Sequence, residues 1–186
     1  MAIFTNLKAI EAKLHGIFES SRIKASQTGH IYDALVKDSK GKEIEVDNGV
    51  LIKIGDFTGN GLQEVAATVA KVTDKVAITG APALIKDAFT KQQSQEYNYV
   101  NIAGNPVKSY ELVEEDIFGV ASYQFTNEEE VKVNAYVVPD GNGAYTVQTE
   151  APDASAYGFI GKVHSISVGT FYTIVRVQVL QNKNVA

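Results

Sequence analysis

The stretch Asp56-Phe57-Thr58-Gly59-Asn60-Gly61 carries side-chain oxygens at alternate positions, the spacing with which a calcium-binding loop opens. Glycine in the sixth place gives such a loop its sharp turn, and Gly61 stands there. An EF-hand then closes its coordination sphere with a bidentate acid at the twelfth place, where this chain has Ala67. The nearest acid is Glu64. The fragment also resembles one propeller-type calcium repeat, and a single copy cannot build a propeller. The plainer reading is a Gly- and Asn-rich turn between strands, and no metal or other cofactor is expected.

Other candidate chemistry is similarly incomplete. His15, His30 and His164 lie far apart, without the HxH or HxxxH spacing that puts two imidazoles on one metal. A hydrolytic triad needs serine, histidine and a carboxylate brought together, and no Gly-x-Ser-x-Gly elbow is present. The runs Glu114-Glu115-Asp116 and Glu128-Glu129-Glu130 offer paired carboxylates of the kind that hydrolyse glycosides. With no tryptophan in the chain, a sugar cleft beside them is not expected, and solvated loop charge is the simpler role. Gly141-x-Gly143 lacks the third glycine, the strand-to-helix setting and the lysine of a phosphate loop. No catalytic residue is assigned, and the chain is expected to act by contact, not catalysis.

Composition narrows the partners. Of 186 residues 45% are hydrophobic and 21% charged, the balance of a folded domain. Such a length buries enough surface to fold without staples. The 17 Lys and Arg are scattered against 22 Asp and Glu, for a net charge of −5. Nucleic acid and anionic membrane surfaces call for a clustered basic face, so neither is expected as a partner. Zero cysteines exclude disulfides, thiol catalysis and thiolate zinc sites. No stretch approaches the ~18 apolar residues of a membrane helix, and residues 1–5 lack the pattern of a secretory leader. A protein made and kept soluble in the cytoplasm is expected.

The elements that would carry any contact surface are of two kinds. Leu7, Ile10, Leu14, Ile17 and Phe18 recur at helical spacing, which predicts an amphipathic helix over residues 6–23, roughly 27 Å long. Thr5 or Asn6 can cap it. Residues 1–25 are therefore expected to form a helical arm and residues 26–186 a β domain. Within the latter, Asp47-Asn48-Gly49 and Ala103-Gly104-Asn105-Pro106 read as turns. Short strands are expected over residues 65–71 and 75–79, and one or two helical turns over 84–89. Val131, Val133, Ala135 and Val137 alternate with polar neighbours, and the turn at 139–143 closes a hairpin into Tyr145 and Val147. A further strand pair is expected over 160–167 and 170–180. In its second strand Phe171, Thr173, Val175, Val177 and Val179 share one face. The whole reads as mainly β, an antiparallel sandwich or barrel with an N-terminal amphipathic helix. Candidate protein-contact residues are the stripe Leu7, Ile10, Leu14, Ile17, Phe18 and the tyrosines Tyr97, Tyr99, Tyr110.

One segment carries a likeness. Residues 99–112, Tyr-Val-Asn-Ile-Ala-Gly-Asn-Pro-Val-Lys-Ser-Tyr-Glu-Leu, followed by Glu115-Asp116-Ile117-Phe118-Gly119-Val120, resemble auxiliary head (decoration) proteins of tailed bacteriophages. In that group an Asn-x-Ala-Gly-x-Pro turn leads into a Tyr-x-Leu strand and an Asp-Ile-Phe corner. Asp47-Asn48-Gly49-Val50, Ile54-Gly55-Asp56 and Phe159-Ile160-Gly161-Lys162-Val163 follow a compatible order. The resemblance spans roughly residues 31–180 and leaves out the N-terminal stripe. It implies a non-enzymatic virion structural protein of the phage head that binds the major capsid protein, with a homo-oligomer expected. The alternative is a receptor- or carbohydrate-binding β domain of a tail or fibre.

Overall fold

β-Branched and aromatic residues recur with a period of two along most of the chain, and these runs fold as short strands. The computed structural model describes residues 14–25, 30–60, 63–83, 95–170 and 172–185. In chain order the strands are β1 (Phe18–Arg22), β2 (Ile31–Lys37), β3 (Leu51–Phe57), β4 (Glu64–Val69), β5 (Ala77–Thr79) and β6 (Val107–Glu111). There follow β7 (Ile117–Ala121), β8 (Tyr136–Pro139), β9 (Tyr145–Gln148), β10 (Phe159–Val168) and β11 (Thr173–Asn182). The protein is mainly β, as its sequence predicts, and it is built from one barrel and one sheet.

The barrel is closed in the order β2-β4-β3-β5-β6. All its pairings are antiparallel except β2 with β4, whose parallel ladder runs from Asp33↔Glu64 to Lys37↔Thr68. Ala34, Val36, Ile52, Val65, Ala67, Ala77 and Val107 alternate along these strands into one buried cluster. Alanine and valine dominate because a barrel of so few strands encloses little room. The opposite faces of β3 and β5 are apolar too, and Leu51 and Ile78 point there, fully buried.

What covers them is the second unit, an antiparallel sheet in the order β1-β7-β11-β10-β8-β9. Its inner face contributes Phe118, Val120, Val137, Tyr145, Phe159, Val163, Val175, Val177 and Val179. The rings of Phe118, Tyr145, Phe159 and Phe125 stand 5.3–6.3 Å apart at tilted angles. Tilted contact suits the ring quadrupoles and adds about 0.5–1.5 kcal/mol per pair beyond area burial. Polar bonds then fix the two units in register. The Asn182 amide donates to the oxygens of Val76 (2.8 Å) and Leu112 (2.7 Å) and accepts from the nitrogen of Val76 (2.8 Å). Leu51 N donates to Gly143 O at 2.9 Å. Gly143 has φ +91°, and a Cβ there would stand 2.8 Å from Val50 Cγ1.

The expected amphipathic helix over residues 6–23 is not what residues 14–23 form. Residues 14–17 are irregular, and Phe18–Arg22 is edge strand β1, paired antiparallel with β7. Two local causes outweigh the helical spacing. Gly16 sits where a Cβ would stand 2.3 Å from the Asn48 oxygen and 2.7 Å from Gln124 Nε2, so the backbone is pressed against its neighbours. Glycine also weakens a helix interior by about 1 kcal/mol. The Gln124 side chain then accepts from Ile17 N at 2.9 Å, in place of a helical carbonyl. In this extended chain Ile17 and Phe18 face opposite ways. Ile17 packs with Tyr97, Ala121 and Ile174, and Phe18 packs on the main core against Tyr110. Ile23 and Ala25 also belong to the main core, so residues 14–25 are part of the β body and not a detached arm. Leu7 and Ile10 lie outside the described residues, as do residues 84–89 with their expected helical turns.

A second departure concerns Val131, Val133 and Ala135. Despite their alternation, strand begins only at Tyr136. Asn134 has φ +71°, and Ala135 N donates to Lys132 O at 3.1 Å, which makes a turn of the segment. Asn tolerates the left-handed conformation better than most residues. The hairpin across residues 139–145 and the pairing of β10 with β11 follow the sequence reading.

Candidate interaction surface

The calcium-like loop is held by bonds among its own oxygens. Thr58 Oγ1 donates to Glu64 Oε1 at 2.6 Å, and Asn60 Nδ2 donates to the same oxygen at 3.2 Å. Asp56 and Phe57 belong to the end of β3, and Gly61 lies outside the described residues. Glu64 thus serves as the hydrogen-bond acceptor that fixes a turn.

The acidic runs have similar duties. Asp116 is buried, accepts from Lys24 N and Val113 N at 2.9 Å each, and so ties β1's exit to the corner before β7. Glu115 sits in the left-handed region at φ +73°. Glu128 accepts the hydroxyl of Ser122, and Asn127 bonds Glu130 Oε2 at 2.7 Å. Asn127 also closes the outer edge of β9, accepting from Val147 N and donating to Val147 O as a neighbouring strand would.

The histidines remain apart. His30 lies 3.5 Å from Glu111, and His164 is exposed on β10. His15 Nδ1 meets Asp47 Oδ1 at 2.8 Å, an arrangement able to orient an imidazole. The neighbouring Tyr123 hydroxyl donates to the main-chain oxygen of His15 and not to its ring, at 2.8 Å. Burial pushes the Tyr123 phenol well above its ordinary range, reinforced by Tyr172 and the Asp47 carboxylate. These residues border a shallow cleft of about 280 Å³ lined by Leu14, Asp47, Val50, Tyr123, Thr126 and Asn142. Three of its polar side chains are engaged by neighbours: Asp47 by His15, Tyr123 by the main chain, Thr126 by Thr146 at 2.9 Å. The cleft is a joint between the incoming chain, the 47–50 turn and the 140–144 turn.

The tyrosines proposed as contact residues are largely engaged inward. Tyr97 is buried, with its ring edge-on to Tyr172 at 6.3 Å between centroids. Tyr110 is half-buried on Phe18 at 5.4 Å, and the Tyr99 hydroxyl donates to Asn101 at 3.3 Å. Of the N-terminal stripe, Ile17 is buried, Phe18 is half-buried, and Leu14 alone among its described members is 48% exposed. The exposed apolar residues that sequence reasoning passed over are Phe57, Ile102, Val133, Val168 and Leu180. Val168, at the tip of the β10–β11 hairpin, is 83% exposed. No distinctive sequence signal marks it, since uncharged runs of comparable length occur at residues 97–107 and 117–127.

No protein-family model, no curated protein and no solved structure matches this chain.

Proposed function

We propose that this chain is a non-enzymatic virion protein of a tailed phage, an accessory head protein that binds the lattice of the major capsid protein. The supporting observation is what the family-like residues do in the fold. Asn101 Nδ2 donates to Val46 O at 2.9 Å and to Asn48 Oδ1 at 3.1 Å, fixing one turn against another. Gly104 takes φ +84°, open to few residues besides glycine. Asp116 fastens the corner before β7, and Phe118 stands at the centre of the aromatic core. Residues of the segment that resembles the decoration proteins thus take part in securing the joints of this scaffold. Residues with such duties are those a common fold would keep, and a common role follows only by analogy.

The mode of action in this reading is contact. A decoration protein needs a stiff scaffold and a surface that recognises one repeated lattice site. Ile17 and Phe18 are committed to the β body, so the N-terminal contact narrows to Leu14 and the residues before it, Leu7 and Ile10 included. Purified protein mixed with empty heads assembled from the major capsid protein encoded nearest to it should co-sediment and saturate at a fixed ratio per capsomer. Absence of saturable binding, with binding to isolated tails or to glycans instead, would overturn the reading.

A further inference from the structure

The β10–β11 hairpin outruns the sheet that carries it. β10 pairs with β8 at Gly161 and Lys162, and its last bonds on that side join Val163 to residues 134 and 135. A bulge follows between Val163 and Ser165. From Ser165 to Val168 the strand is paired with β11 alone among the described residues.

The direction of its free groups follows from the turn. Gly169 N donates to Tyr172 O at 3.0 Å, so these two form a hydrogen-bonded pair. Bonded and non-bonded pairs alternate along an antiparallel ladder. Ser167↔Ile174 and Ser165↔Arg176 are therefore bonded pairs, while Val168↔Thr173 and Ile166↔Val175 are not. Ile166 and Val168 consequently aim their N–H and C=O groups away from β11, along an edge that no described strand pairs.

Exposed edges are ordinarily blunted by charge, proline or an inward-pointing lysine. This one has none from Ser165 to Gly169. Ser167 Oγ receives Arg176 Nη1 at 2.7 Å, and Arg176 Nη2 is neutralised by Glu19 at 2.9 Å. In a chain of net charge −5, a neutral apolar edge is the surface that a like-charged copy can approach without repulsion.

We infer that β10 pairs antiparallel with β10 of a second copy, about a twofold axis at Ser167. The edge is self-complementary in that register. Ile166 exchanges both main-chain bonds with Val168 of the second copy, and Val168 does the same with its Ile166. Ser167 then stands opposite Ser167 of the second copy in a non-bonded pair, Cα atoms about 4.5 Å apart. So short a ribbon buries less than the ~1,200 Å² of a durable complex, so the dimer is expected to form reversibly. The inference is independent of what the protein binds.

The sequence has no cysteine, so Ser167→Cys places a single thiol on the axis. Directly opposed cysteines at that separation fall within disulfide reach. Under mild oxidation Ser167→Cys should cross-link to a dimer in high yield, while Val133→Cys, also exposed, should stay largely monomeric. Sedimentation equilibrium of the native chain should show a concentration-dependent dimer. Val168→Pro removes an outward donor at an exposed site, and should weaken dimerisation at least tenfold with an unchanged melting temperature. Val168→Lys should do the same through charge. A chain monomeric at high micromolar concentration, a dimer indifferent to both Val168 variants, or equal cross-linking at 133 and 167 would each overturn the inference.

Discussion

The phenol of Tyr145 on β9 donates to the carbonyl oxygen of Gly49 at 2.7 Å, from a position without solvent exposure. This bond joins the six-stranded sheet to the turn that leads into the barrel's β3, 96 residues earlier in the chain. Gly49 holds φ +78°, and a Cβ there would lie 2.6 Å from Gln124 Nε2 and 2.9 Å from Ile17 O. The turn is thus clamped from the N-terminal side as well. Tyr145→Phe keeps the ring among Phe118 and Phe125 but removes the donor facing Gly49. An unsatisfied buried acceptor costs about 1–3 kcal/mol, which chemical denaturation should register as a lower midpoint with unchanged slope. An unchanged midpoint would show that the bond contributes nothing net.

Val177 tests the centre of the sheet. It is fully buried on β11 between Val163 of β10 and Phe118 of β7. Val177→Asp places a carboxylate where no partner is within reach of the aliphatic wall. The cost is several kcal/mol against a total stability of about 5–15. The variant should be insoluble or lose its cooperative melt. A soluble, cooperatively melting variant would contradict the placement of β11.

Much of this was legible in the residues, for a definable reason. Strands β9 to β11 and the 139–143 turn announce themselves because period-two alternation and Gly/Asn turns are local signals, read within ten residues, whereas the alternation at 131–135 misplaced the start of β8. A barrel was among the expected architectures, but its pairing was not legible, since the parallel pairing of β2 with β4 and the return of β6 to β2 depend on partners far along the chain. The N-terminal segment misled because Leu14, Ile17 and Phe18 keep helical spacing while Gly16 is pressed against Asn48 and Gln124, two residues remote in sequence. The joint residues were visible as types but not as roles. Asp116 reads as solvated loop charge, and Asn101 and Asn127 attract no reading of their own, until their donors and acceptors are placed. The edge proposed to pair was hidden because Ser165 to Val168 looks like any other strand; what sets it apart is that β8 begins only at Tyr136.

The calcium-like loop yields a direct test. Glu64 is bonded to Thr58 and Asn60, and Ala67 occupies the place of the closing acid. Thermal melts in excess chelator and in millimolar calcium should coincide. A calcium-dependent rise of several degrees would restore the loop as a binding site.

Stability should fall in alkali for an identifiable reason. Burial raises the phenol of Tyr145 well above the ordinary value near 10 and raises Tyr123 and Tyr172 as well. A group whose folded pKa exceeds its unfolded one contributes stability fully below the unfolded value and loses it as pH rises toward the folded one. The melting temperature should therefore be insensitive to these phenols below about pH 10 and decline above it. Absorbance at tyrosinate wavelengths should show some tyrosines ionising only as the protein unfolds. Tyr145→Phe should flatten the alkaline decline; an unaltered slope would remove Tyr145 from the explanation.

The N-terminal segment separates folding from assembly. Residues 14–25 supply edge strand β1, the buried Ile17, Ile23 and Ala25, and Phe18, whose ring fills the space over Gly80 and Tyr110. Beginning the chain at Ser26 removes all of these and uncovers β7. Each large apolar side chain so lost is worth roughly 1.5–3 kcal/mol, enough in sum to exhaust a domain's stability. That truncation should be insoluble or melt far below the full chain. Beginning instead at Leu14 leaves every described contact in place while deleting Leu7 and Ile10. If those residues reach the capsid protein, the shorter truncation should melt within a few degrees of the full chain and no longer co-sediment with empty heads. Full retention of head binding by the chain starting at Leu14 would end the idea of a contact stripe before that residue. A large drop in its melting temperature would instead assign Leu7 and Ile10 to the fold itself. A lowered melt marks a folding role, and lost sedimentation at an unchanged melt marks a contact role, so the two readouts together decide between them.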